Sequence, residues 1–127
     1  MTDPEQKAVE LAHRLFDLAR NGDAETISTF VAAGAPVNMV DAQGNSMLML
    51  AAYHGQAETV AALIAGGADL NLANDRGQTP LAGAVFKDET DVVTLLVEAG
   101  ADPDAGTPTA RATAEMFGRS ELFGSNS

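Results

Sequence analysis

Shifted by 33 residues, the chain lands on itself: Gly34-Ala35, Gly67-Ala68 and Gly100-Ala101 fall into register, followed by Asn38, Asn71 and Asp104. The same shift aligns Leu15, Leu48 and Leu81, then Gly44 with Gly77, Ala51 with Ala84, and the apolar Ile27, Val60 and Val93. A unit this short cannot bury its apolar face alone and must stack on its neighbours. The period therefore confines the chain to a repeat architecture.

The content of one unit can be read from "GQTPLAGA". Thr79 is an N-cap whose hydroxyl can accept from orphan helical N–H groups, and Pro80 suits the first helical position. Val60, Leu63, Ile64 and Val93, Leu96, Val97 recur at helical spacing and stop at Gly67 and Gly100, where a left-handed cap is needed. Gly44 and Gly77 sit in the polar turns "DAQGNS" and "NDRGQT". Each unit is thus a turn, a helix, a tight turn and a second helix.

A period of 33 carrying "GQTPLAGA", "AAYHGQAETVAALIAGGADLN" and "DVVTLLVEAGADPD" resembles the ankyrin repeat family, over about residues 11 to 123. The resemblance implies an all-α solenoid of stacked helix-turn-helix units with short β-hairpin fingers. It gives a single domain over 1–123, with units at about 4–38 (an N-terminal cap), 39–71, 72–104 and 105–123 (a truncated C-terminal cap), and a frayed tail at 124–127. In the first unit Asp3 caps, Pro4 fits the first turn and Gln6 completes a capping box, so one helix runs to about Arg20. In the last, Thr109, Ala114 and Gly118 match Ser46, Ala51 and Gly55 three residues early, which clips the finger and leaves only Ser120 to Phe123 for a second helix. Two departures predict looser local ends: Met47 stands where Pro80 does, and Asp88 replaces the turn glycine of Gly22 and Gly55.

Eighteen acidic against seven basic residues give a net charge of −11, and the cations are scattered, so phosphate backbones and anionic bilayers repel the chain. Neither nucleic acid nor a membrane is expected as a partner. With no cysteine there are no disulfides, thiolate nucleophiles or cysteine metal sites. The opening "MTDPEQKAVELAHRLFDLAR" lacks the basic start and apolar run of a signal peptide. The expectation is a cytoplasmic monomer, although the absence of cysteine also suits a periplasmic protein.

Chemistry is hard to find. His13 and His54 have no partner at metal-ligand spacing, no glycine loop cradles phosphate, and no serine sits in a nucleophile elbow. Met47, Met49 and His54 suggest a soft-metal site, but residues two apart on a helix point to different sides, which favours thioether packing. Asp88, Glu89 and Asp91 precede a helix starting near Thr90 and read as charges favourable to its dipole rather than as a calcium loop. Asp69, Asp102 and Asp104 read as solvated turn residues. No catalytic residue, metal site or cofactor is expected.

The resemblance implies protein binding through the fingertips and the exposed, concave face of the inner helices. Carried over by register, the inner-helix positions are Arg20-Asn21, Tyr53-His54, Phe86-Lys87 and Met116-Phe117, which should form two adjacent rows. The finger positions are Ala42, Gln43 and Asn45, then Asp75, Arg76 and Gln78. Aromatic and arginine side chains are what interface hot spots favour. Against this, Phe86 and Phe117 could simply tuck against the next repeat and seal it. The leading expectation is a non-catalytic module that binds, masks or tethers a partner protein. The alternatives are a small enzyme or a ligand- or metal-binding protein using the groove around His54, and a subunit that assembles only with itself.

Overall fold

The computed structural model describes residues 3–123; the predicted tail at 124–127 lies outside them. Seven α-helices follow in order: α1 (Pro4–Asn21), α2 (Ala24–Ala32), α3 (Met47–Tyr53), α4 (Ala57–Ala65), α5 (Pro80–Phe86), α6 (Thr90–Ala99) and α7 (Ala110–Met116), with a terminal 3-10 turn at Ser120–Phe123. They stack in two rows. The inner row is α1, α3, α5 and α7, each against the next, and the outer row is α2, α4 and α6.

Hydroxyl and carboxylate caps start the inner helices. Asp3, Ser46, Thr79 and Thr109 each accept from the amide three residues on, at 2.8, 3.0, 3.2 and 2.9 Å. At Asp3 the bond is a single cap: the return bond that Gln6 would give in a capping box is not formed. Gly100, at φ 101°, ends α6 in the left-handed conformation, and its amide donates to the carbonyls of Leu96 and Val97.

The core runs between the rows as a ladder of register-equivalent side chains. Leu15, Leu48 and Leu81 are buried from the inner row, and Ile27, Val60 and Leu63 from the outer. Buried Ala19, Ala51, Ala52, Ala84 and Ala114 let the inner helices approach closely. Thr59 is out of keeping with this lining: it is fully buried, and its hydroxyl has no hydrogen-bond partner among the described residues. Val92, 33 positions later, fills the equivalent place with a side chain of the same shape. Thr59→Val is therefore expected to raise stability by about 1 kcal/mol, because it removes a desolvated hydroxyl without changing volume. Thermal or urea denaturation checks this, and a loss of stability would contradict it.

Each connection is tied to the unit beside it. The fingers are hairpin-like turns rather than paired strands: only isolated antiparallel bridges form among the described residues, Val40 with Ser46 and Gly106 with Thr109. The reason lies in Asp41 and Asn74, whose side chains accept the turn amides of Gln43 and Asn45, and of Arg76 and Gln78, and so curl the chain instead of extending it. Neighbouring fingers are joined by Asp75 N–H to the Gln43 carbonyl (3.0 Å) and Thr107 N–H to the Gly77 carbonyl (2.8 Å). The aligned asparagines have a role that the repeat alone does not disclose. Asn38 and Asn71 each accept the backbone amide of the residue 31 positions on, Asp69 and Asp102, at 2.7 and 2.8 Å.

The turn between paired helices is a second coupling point. A Cβ on Gly22 would run into the Gln56 side chain, and one on Gly55 into the Glu89 carboxylate. Gln56 turns there to donate to the Arg20 carbonyl at 2.8 Å, leaving α4 without a side-chain cap. Asp88, at φ 58°, holds the same left-handed turn with a side chain in place. The residue opposite it in the next unit is Arg119, and the two form an ion pair. The departure from glycine at this place is thus matched by a cation across the stack.

The shortened last unit is closed rather than loose. Arg111 donates to both Asp104 carboxylate oxygens (2.8 and 3.3 Å) and to the Phe123 carbonyl (3.4 Å), and its guanidinium lies over the Phe123 ring. Asp104 is the register partner of Asn38 and Asn71, and here it takes this arginine instead of a following repeat. The hydrogen bond to Arg111 holds its carboxyl below the ordinary aspartate range.

Candidate interaction face

The exposed face of the inner row carries a line of rings. Tyr53 ends α3 and Phe86 ends α5, one repeat apart. Their rings stack with centroids 6.5 Å apart and planes 13° from parallel. Phe117, at the end of α7, meets Phe86 edge-on at 5.8 Å. His54 stands edge-on to Tyr53 at 5.7 Å, and the Lys87 ammonium lies 5.1 Å from the Tyr53 ring centroid. Such pairs contribute about 0.5–1.5 kcal/mol each beyond their burial. The rings nonetheless stay open to solvent, with Phe86 50% and Phe117 49% exposed.

Two predicted rows become one diagonal. Phe86 stacks on Tyr53 within its own row, then touches Phe117 in the neighbouring row. Met116, in the Tyr53 row, has no ring to continue the stack and is 71% exposed. It lines an open cavity of about 320 Å3 with Tyr53 and Phe86, bordered from the fingers by Arg76, Gln78 and Pro108. A second cavity, about 210 Å3, lies on the other side of Tyr53 and is more polar. Arg20, Asp41, Gln43, Asn45, His54, Arg76 and Gln78 line it. Arg76 and Gln78 border both.

Eleven of the twelve expected residues therefore gather along one groove between the fingers and the inner helices, by cavity lining or ring contact. Asn21 is the exception: it is exposed at the end of α1 and borders neither cavity. Arg20 is held in place by Asp17 at 2.6 Å and Asp41 at 3.8 Å. Of the remaining finger positions, Ala42 borders a shallower hollow near His13, and Asp75 joins its neighbour through its backbone. Pro108 and Thr113 were not expected. Both follow from the register that places Thr109 opposite Thr79, since Pro108 then matches Gln78 and Thr113 matches Gly83.

The methionines of α3 are core. Met47 and Met49 are buried while His54 is exposed, so the three do not converge. The Met49 thioether fills the space a side chain on Gly83 would take: a Cβ there would lie 2.7 Å from its methyl carbon. Among the described residues, no three His, Asp or Glu side chains are grouped to hold a metal ion. None of the described helices is long and apolar enough to cross a membrane.

Comparison with known proteins agrees with the repeat fold. An ankyrin protein of Pseudomonas aeruginosa is 44% identical over 45 residues, a stretch covering 35% of this chain and 26% of that protein. The chain thus matches about a quarter of that relative's length. A family model for ankyrin repeats, in three copies, matches residues 15–107, well over half of the chain. On the repeat period, the paired helices and this match, the chain belongs to the ankyrin repeat family.

Proposed function

We propose that this protein is a non-catalytic docking module that binds a partner protein along the groove between its fingers and inner helices. The observation that carries this reading is the line Tyr53, Phe86, Phe117: three rings in contact across three repeats, the first pair stacked and the second edge-on, with Phe86 and Phe117 half open to solvent beside an apolar cavity. Contiguous exposed aromatic surface of this kind is costly to leave wet and marks interaction sites. Regulation then comes from what the bound partner can no longer reach.

The test uses the double variant Tyr53→Ala/Phe86→Ala beside an outer-face control, Glu58→Gln in α4. Wild type and control are expected to retain the same partner from a lysate of the source cell, and the double variant, still helical by circular dichroism, is expected to lose it. Retention at wild-type affinity by the folded double variant would exclude the groove.

A further inference from the structure

Resting on that reading, we infer that the segment docked in the groove is acidic: an aromatic or long apolar side chain in the 320 Å3 cavity, with carboxylates beside it for Arg76 and Lys87. Three of the seven cations, Arg20, Arg111 and Arg119, are paired within the chain to Asp17 and Asp41, to Asp104 and to Asp88. Lys7 and Arg14, also without a carboxylate within 4.0 Å among the described residues, are exposed along α1 and border neither cavity. The last two both lie beside Tyr53, Arg76 in the cavity walls that Tyr53 shares and Lys87 over its ring, and among the described residues neither has a carboxylate within 4.0 Å.

In a chain of net charge −11, carboxylates to pair with are abundant, yet these two cations on the ring line are left without one. Lys87 spends its charge on the face of Tyr53, which holds the ammonium at the groove edge without neutralising it. Arg76 borders both cavities, and Asn74 fixes its backbone by accepting its amide at 3.0 Å. An uncharged segment laid along the rings would strip water from both cations and return nothing, and a basic one would add repulsion. A segment with carboxylates flanking its apolar anchor satisfies both cations. Of the acids nearest the two cations, Asp41 and Asp88 are taken up by Arg20 and Arg119, which leaves Asp75 beside Arg76 as the local opposition, and the more distant acids are screened by salt beyond roughly 8–10 Å. The paired contacts in the groove lie well inside that distance.

The experiment is a selection of random displayed dodecapeptides on the immobilised full chain, followed by Kd measurement by fluorescence anisotropy on synthetic copies of the enriched peptides. Enriched sequences are expected to carry Phe, Trp, Leu or Met with Asp or Glu close by. Exchanging those acids for Gln should weaken binding to wild type by about two- to fivefold per pair. It should change nothing for Arg76→Gln/Lys87→Gln, which has already lost that advantage. If enriched peptides show no acidic bias, or bind wild type and Arg76→Gln/Lys87→Gln alike while failing on Tyr53→Ala/Phe86→Ala, the groove docks proteins but the charge inference is wrong. If they bind the Tyr53→Ala/Phe86→Ala protein unchanged, the groove is not the docking face and both readings fall.

Discussion

Phe86→Ala is expected to weaken partner binding about thirtyfold or more while leaving the fold intact. Truncating a central aromatic anchor commonly costs about 2 kcal/mol or more of binding, and each 1.4 kcal/mol is a factor of ten. Phe86 is central by position: Tyr53 stacks on one side, Phe117 abuts the other, and the apolar cavity opens beside it. The same neighbours make it partly a seal between repeats, so some stability goes with it. Because the ring is 50% exposed and its truncation removes the pairings with Tyr53 and Phe117, that share is on the order of 1–2 kcal/mol. Affinity and melting temperature must be read on the same sample. A large drop in affinity with a drop of a few degrees in melting is the expected pair, whereas unchanged affinity with a collapsed melting temperature would make Phe86 a sealing residue only.

Leu48→Ala is expected to show the opposite pattern on stability, with a loss of about 2–5 kcal/mol. Leu48 is fully buried in α3, which touches α1, α4 and α5, so a cavity there weakens the interfaces on both sides at once. In a solenoid stability is close to a sum of unit and nearest-neighbour terms, and a defect in the middle cannot be bypassed. For a domain of this size the loss corresponds to a fall in melting temperature on the order of 10–20 °C. Denaturant titration followed by circular dichroism measures it. A change below about 1 kcal/mol would mean that the repeats do not share one cooperative core.

The contrast between these residues shows what the sequence carries openly. Leu15, Leu48 and Leu81 recur at one spacing because every unit faces the same neighbour, and periodicity alone marks them as core. The caps Ser46 and Thr79 are equally legible, since each directly precedes an apolar run, and Thr109 follows from its register with them. The groove residues follow from register rather than from chemistry. Register brings Tyr53, Phe86, Arg76 and Gln78 to one cavity but also includes Asn21, which lies apart from it where α1 ends without a finger before it. Contacts between units are harder to see. The pairing of Asp88 with Arg119 depends on two changes that look unrelated in the chain, and the diagonal from Phe86 to Phe117 depends on how the clipped last unit seats its rings. Periodicity reports what the repeats have in common. The features particular to this surface arise where they differ, and only their juxtaposition in space gives those differences meaning.

The most direct test of docking through the groove is amide hydrogen exchange on the free protein and on its complex with a captured partner. Added protection is expected in the finger segments 41–46 and 74–79 and at the ends of α3, α5 and α7, around Tyr53, Phe86 and Met116, with α2, α4 and α6 unchanged. Protection confined to those outer helices, with the ring line exchanging as in the free protein, would contradict it.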